Sequence, residues 1–530
     1  MPNIPATHRP MVQPGPSLQP NPAFRAPTTA APTRTTSNDD SGDWFENAMF
    51  GALDSVLYGL NATGLAKPAV NLALSVAASG NKPEWYVGTS EHAAMMLAAE
   101  YEERDTRKSF AERTAEYLAE AKVGTVAGMQ LNGGTAFENA KFVKELEQAG
   151  NAKFTAGNSV EFLIDGPKAF AKRNEMIENA TDSIHLLTWS IYDDATGIDL
   201  CKRLVKKSKE GVDVKVIVDR NIARQRDSSE TLDYLEANGI EVILWEDPEH
   251  IQYGNHCKMM VVDGTKAIAG GINPGNYYSH GWNVDPSYDG PKWRDTDVYV
   301  SGPGGVDQEA LFVSYWNSQI EKQNLDVAPM SMDRDALLAR ADRSGTSKVA
   351  VVEHKPDDES YDVLSTMMKA VSGATKTVDI ENAYFLTLPG MDQLLYAALA
   401  RGVKVRIFTN SNKSVDEPLV SEPIMKALPD LLAAGAEIYL KKGDTLHSKF
   451  MVVDETFVSL GSLNLHPRSL YYDTEMAVNI IDENAAKTLR AQFDRDIAAE
   501  EAVAAKSAKD LEIESTWYNR FIKKYFSRHL

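Results

Sequence analysis

The sequence predicts an α/β protein in which two similar α/β sandwich lobes follow a mainly helical N-terminal region. Three observations predict it. Strand-like apolar runs alternate with helix-like segments from Val160 onward. The alternation occurs twice. A short polar motif recurs at the same place in each copy. Such alternation implies parallel strand pairing, with helices packed on the sheet faces.

The N-terminal third carries no chemistry. Residues 1–43 are a Pro/Thr/Ala-rich head that reads as disordered. Met1–Arg34 lacks the charged start and apolar core of a secretory signal. Residues 44–158 read as mainly helical. Ala48–Ser79 is their most apolar stretch, but Asp54 and Lys67 interrupt it and Pro68 breaks it. No uninterrupted run there reaches the ~18–20 residues that span a bilayer. Buried helices are expected, with a membrane-dipping hairpin as the alternative. Thr135 and Glu138 have capping-box spacing, and Gly150 would close the helix they start.

The first lobe is expected over 159–326. Its strands are Val160–Ile164, Ser183–Ile191, Val212–Val218 and Glu241–Trp245, with helices at Lys168–Asn179, Gly197–Lys207 and Glu230–Asn238. A linker, 327–346, leads to a second lobe over 347–500. There the helices are Tyr361–Val371, Met391–Ala400 and Ile424–Ala434, the last kinked at Pro429. The strands are Thr377–Ile380, Val403–Thr409 and Glu437–Leu440. Glu210-Gly211-Val212 and Arg401-Gly402-Val403 make the same turn in the two copies. Two matching halves are an internal duplication, with a period far too long for a solenoid. Residues 501–530 read as a C-terminal helix mixing aromatics with cations, suited to an anionic membrane or to docking on the lobes.

The repeated motif is His256-Cys257-Lys258-Met259-Met260-Val261-Val262-Asp263 in one copy. It is His447-Ser448-Lys449-Phe450-Met451-Val452-Val453-Asp454 in the other. On an extended chain, residues i and i+2 share a face, so an imidazole and an ammonium stand side by side. Gly270, Gly271 and Asn273 follow the first copy; Gly461, Ser462 and Asn464 follow the second. These groups fit a phosphodiester. One imidazole attacks phosphorus and the other moves the proton. Two lysines and two amides hold the anionic oxygens. Each copy supplies half of this set. Asp263 and Asp454 lie seven residues beyond their histidines and are expected to brace the lobes.

With these paired HxKxxxxD motifs, residues 159–500 resemble the phospholipase D superfamily, and within it the bacterial cardiolipin synthases. Trp293-Arg294-Asp295-Thr296-Asp297, Glu381-Asn382-Ala383-Tyr384-Phe385, Thr409-Asn410-Ser411 and Asn464-Leu465-His466-Pro467-Arg468-Ser469 also carry the likeness. The resemblance implies His256 as nucleophile and His447 as general acid and base. It implies Lys258, Lys449, Asn273 and Asn464, with Ser462, as phosphate ligands. It implies that Asp295 and Glu475 orient the two histidines, with Asp297 and Asp473 as rivals. It implies no metal or cofactor.

The expected reaction is hydrolysis or transfer of phosphatidyl groups of glycerophospholipids through a phosphohistidine. A nuclease of the same superfamily and a non-catalytic lipid-binding module are the alternatives. A formal charge of −20 argues against a nucleic-acid partner. A glycerophospholipid substrate and a peripheral membrane surface are the expected partners. The expected location is cytoplasmic or peripheral membrane, with signal-independent export as a further possibility raised by the head. Two cysteines, Cys201 and Cys257, exclude a disulfide framework and a cysteine zinc site, and read as buried thiols.

Overall fold

The computed structural model describes residues 134–220, 229–248, 253–358, 360–386, 388 and 390–513. The head, the expected helices before residue 134, the Ala48–Ser79 stretch and the chain from 514 lie outside the described residues.

The first lobe is built on three parallel strands: β2 (Ser183–Thr188), β3 (Asp213–Asp219) and β4 (Glu241–Trp245). Parallel neighbours need a crossover, and helices Ala195–Lys209 and Ser229–Ala237 supply it. Asp194 starts the first of these by accepting from the amides of Thr196 and Gly197. Its buried face carries Leu200, Cys201, Leu204 and Val205. Gly211 then turns the chain with φ of 96°. Nothing lies within 4 Å of where its Cβ would be, so the positive φ alone asks for glycine. Gly402 repeats this in the second lobe at φ of 85°.

The rest of the lobe corrects the expectation of parallel pairing. β6 (Met259–Val262), β7 (Lys266–Gly270), β8 (Thr296–Ser301) and β1 (Thr155–Ile164) pair antiparallel. The reason is local. β6 and β7 are joined by a tight turn at Asp263-Gly264, too short for a crossover.

The second lobe repeats the plan. β10 (Thr377–Asn382), β11 (Lys404–Asn410) and β12 (Glu437–Lys441) are parallel. β13 (Lys449–Val453), β14 (Phe457–Gly461), β15 (Asp473–Ile481) and β9 (Ser347–His354) are antiparallel. The half-sheets meet where β1 pairs with β9, at Thr155↔Val349 and Asn158↔Ser347. The joined order β12-β11-β10-β13-β14-β15-β9-β1-β8-β7-β6-β2-β3-β4 is a palindrome of the two lobes.

Several boundaries differ from those expected. The first lobe's seam strand, expected from Val160, starts at Thr155. The capping box at Thr135 closes a 3-10 turn, and Asn139 caps the α-helix Ala140–Ala149. This helix packs on the second lobe. Phe137 stacks on Phe457 at 4.9 Å, and Lys369 donates to Glu145 at 2.6 Å. The linker holds a helix, Arg334–Arg340. Pro429 breaks the expected helix into Pro418–Ala427 and Pro429–Ala433. In place of a helix from 501, β16 (Ala502–Ala504) pairs with β12. Cys201 and Cys257 are free and buried. Among the described residues, no helix is long and apolar enough to cross a membrane.

The motif carboxylates sit in equivalent turns, at φ of 50° for Asp263 and 52° for Asp454. Asp454 accepts from the amides of Thr375 (2.8 Å), Lys376 (2.7 Å) and Thr377 (2.9 Å). It thereby pins the β13–β14 turn to the start of β10. Asp263 does the same to Thr181, Asp182 and Ser183. Asp454 is buried, whereas Asp263 is half-exposed. We predict that Asp454→Ala costs about 1–3 kcal/mol, because three part-buried amides lose a charged acceptor. Asp263→Ala should cost less, because its carboxylate is half-exposed and its bonds to Thr181 and Asp182 lie open to water. Urea denaturation checks the order; equal small losses would contradict it.

Candidate active site

The two motif histidines stand at the junction of the lobes. His256 lies between β5 (Gly254–Asn255) and β6. β5 pairs with β15 of the other lobe, and the His256 amide donates to the Thr474 carbonyl at 2.8 Å. His447 directly follows the equivalent contact. Its amide donates to the Arg294 carbonyl at 2.7 Å, and the Arg294 amide donates to Thr445 at 2.9 Å. Each histidine is therefore docked by backbone onto the opposite lobe.

The side chains cross in the same way. Glu475, on β15, lies 3.0 Å from Nδ1 of His256. Asp295, just before β8, lies 2.7 Å from Nδ1 of His447. All four groups are buried. With Nδ1 engaged by a carboxylate, Nε2 is the nitrogen on the opposite side of each ring. Glu475 is itself fixed by the Ser469 hydroxyl at 2.5 Å. The rival carboxylates serve elsewhere. Asp297 pairs with Arg173 at 2.5 Å, and Asp473 pairs with Arg468 at 3.1 Å.

Lys258 and Lys449 are buried beside the rings, and each donates to the backbone carbonyl of its own motif histidine. Lys449 also lies 3.0 Å from Nδ1 of His447. The Trp189 ring faces both His256 and Lys258 at 5.7 Å. Asn273 is locked by Thr188 (3.1 Å) and by the Tyr278 hydroxyl (3.0 Å). Asn464 is buried, and its Oδ1 has no hydrogen-bond partner. Ser462 differs from expectation. Its hydroxyl accepts from the Met476 amide at 3.0 Å, and its carbonyl lies 3.2 Å from Nδ1 of His256.

Burial dominates the electrostatics. Desolvation, aided by the lysine charges, holds both histidines well below the usual imidazole range. It lowers Lys258 to about 7 and Lys449 to about 8. It raises Asp295 to about 6 and Glu475 to about 7. Two uneasy ammonium groups beside two neutral imidazoles are suited to an anion.

Sequence reasoning missed the latch beneath this arrangement. Arg294 grips Asp496 of the second lobe with two bonds, at 3.1 and 2.7 Å, and reaches the Thr296 hydroxyl at 2.8 Å. It also missed Tyr278 and Trp293, whose rings lie 5.2 and 5.4 Å from His447. The only available signal was their place in the motif context. Of the remaining histidines, His185 pairs with Glu309 at 2.9 Å behind β2. His354 meets the Leu470 carbonyl at 3.2 Å, and His466 caps the helix Pro467–Tyr471.

The family described as "Cardiolipin synthase, PLD-like domain" matches residues 174–279 and 367–497. The major cardiolipin synthase ClsA of Bacillus subtilis is 29% identical over 373 residues, covering 69% of this chain and 75% of that protein. A cardiolipin synthase of Staphylococcus aureus strain Mu50 is 29% identical over 367 residues, covering 68% and 72%. Among solved structures, the phosphatidylserine synthase of Haemophilus influenzae Rd KW20 shares the fold. Its TM-score is 0.57 at 16% identity, over 72% of this chain and 97% of that one.

The lysines yield a pH prediction. A lowered pKa means that the charge is lost as pH rises through about 7 to 8. For an anionic substrate, kcat/KM should therefore begin to fall between pH 7 and 8, since it reports groups of the free protein. A rate profile checks this. An alkaline limb only above pH 10 would contradict it.

Proposed function

Because the chain belongs to the phospholipase D superfamily, we propose that it transfers phosphatidyl groups of glycerophospholipids to water or to a second hydroxyl. One observation carries this reading. Each motif histidine has its Nδ1 held by a buried carboxylate from the opposite lobe, an arrangement that supports two complementary rings acting on one phosphate.

The roles follow from what each ring must do. Nε2 of His256 attacks phosphorus, and its lone pair forms the P–N bond. The P–O bond to the head group breaks, and Nε2 of His447 gives its proton to the departing oxygen. His447 then takes the proton of the acceptor hydroxyl, whose oxygen forms a new P–O bond as the P–N bond breaks. Water yields phosphatidic acid. A glycerol or phosphatidylglycerol hydroxyl yields another phospholipid, including cardiolipin. Lys258, Lys449, Asn273 and Asn464 hold the phosphate oxygens. Glu475 and Asp295 fix the tautomers and steady the positive rings as they form, as carboxylates do in hydrolase triads.

Substrate charge has a part in this. Burial, with the two lysine charges, keeps His447 neutral. A bound phosphodiester offsets them, raises the imidazole's affinity for a proton and readies the acid. The cardiolipin synthases to which the chain is similar support transfer to a hydroxyl. The lipid substrate places the protein at a membrane surface, peripherally or from the cytoplasm. The net charge of −20 counts against the nuclease reading. The intact pairs counts against a lipid-binding module with a dead site.

Denaturing mass spectrometry after brief exposure to lipid tests the division of labour. His256→Ala should show no phosphatidyl adduct. His447→Ala should lose roughly 10²–10⁴-fold in turnover of natural lipid. With a p-nitrophenyl leaving group, which departs without a proton, His447→Ala should accumulate the adduct on His256. An adduct on His447 in the His256 variant would reverse the roles. Normal turnover by His256→Ala would remove the covalent route.

A further inference from the structure

The repeat between the lobes extends to a pair of buried polar residues that the mechanism above leaves unused. Counting from the turn glycines, the eighth residue after Gly211 is Asp219, and the eighth after Gly402 is Asn410. Each is the last residue of the middle parallel strand of its lobe, β3 or β11. Both are buried. A polar side chain in such a place costs free energy unless it is hydrogen-bonded.

In both lobes the bond goes to the residue just before a motif histidine. The Asp219 carboxylate accepts from the Asn255 amide at 2.7 Å. Asn410 accepts from the Leu446 amide at 3.0 Å and donates to the Leu446 carbonyl at 2.6 Å. It also donates at 2.9 Å to the carbonyl of Ala383, just past β10. Asn255 and Leu446 are themselves buried. Asn255 extends the hold across His256, because its side chain accepts from the Cys257 amide at 3.0 Å.

Neither histidine is carried by a long strand. β5, before His256, has two residues, and the chain from 442 to 448 is irregular apart from the bridge of Leu446 to Arg294. Each histidine is therefore set from two directions. The opposite lobe receives its amide, at Thr474 or Arg294. Its own lobe fixes the residue before it, through Asp219 or Asn410. These two points decide where the ring leaves the backbone. Transfer at a ring nitrogen tolerates little error, since a misplacement near 1 Å can cost about 10²-fold. We propose that Asp219 and Asn410 are positioning residues with separable tasks: Asp219 aims the nucleophile His256, and Asn410 aims the acid and base His447. The inference rests on the phosphatidyl-transfer reading and adds one residue per histidine to it.

The test uses the full chain with two substrates, a natural phospholipid and a phosphatidyl ester of p-nitrophenol. The first-turnover burst of p-nitrophenol reads attack by His256, and turnover of natural lipid needs both rings. Asp219→Ala should slow the burst and natural turnover alike, each by roughly 10–100-fold. Asn410→Ala should slow natural turnover by a similar factor but leave the burst within about threefold, with adduct accumulating on His256. Asp219→Asn keeps an acceptor for the Asn255 amide and should restore the burst to within about threefold. Asp219→Ser and Asn410→Ser, whose hydroxyls can draw water to the orphaned groups, take the place of an alanine variant that fails to fold. Equal loss on both substrates when Asn410 is replaced, or an undiminished burst when Asp219 is replaced, would overturn the proposal while leaving phosphatidyl transfer standing. A burst in Asp219→Asn as slow as in Asp219→Ala would also overturn it. Neither burst nor adduct in the unaltered chain would overturn the parent reading and this inference with it.

Discussion

The structure turns on one reciprocal exchange: each lobe contributes a histidine and also the carboxylate that holds the other lobe's histidine. Glu475 reaches His256 and Asp295 reaches His447, and the backbone contacts cross alongside them. Neither half completes a ring–carboxylate pair alone. The β1–β9 seam and the Arg294–Asp496 latch keep the two halves in the register that this exchange requires. A displacement of either lobe would separate both pairs at once.

Holding that register has an electrostatic cost. Lys258 and Lys449 are buried with incomplete compensation, and desolvation lowers both to near neutrality. Packing alone would favour apolar residues at such positions. The lysines make physical sense if the missing partner is the substrate's own phosphate. The same charge that repays their burial also shifts His447 toward the protonated state. Anion binding and readiness for proton transfer are thereby coupled through one field rather than through a moving part.

Much of this was legible in the sequence. The duplication, the parallel cores and the paired motifs follow from local patterns, and those patterns survive folding because each lobe buries the same face. Antiparallel strands β6, β7 and β8 were less legible, because a short apolar run reads alike in either direction. The helix Arg334–Arg340 has no buried residue and so no periodic signal. The capping box at Thr135 was correctly spaced, but the sequence does not say whether a 3-10 turn or an α-helix follows it. The crossing of the carboxylates joins residues 219 and 152 positions apart, and no local pattern encodes such pairing. Asp295 and Asp297 differ only in what lies opposite. Arg173 claims one, which leaves the other for His447.

The central claim is that His256 and His447 form one chamber around one phosphate. A crystal structure of the protein soaked with orthovanadate, which mimics phosphorus in transit, tests it most directly. The account predicts a single vanadate bonded to Nε2 of His256, with Nε2 of His447 hydrogen-bonded to the oxygen opposite and both lysines on its flanks. Separate anions at the two histidines, or one anion held by a single histidine with the other ring turned away, would contradict it.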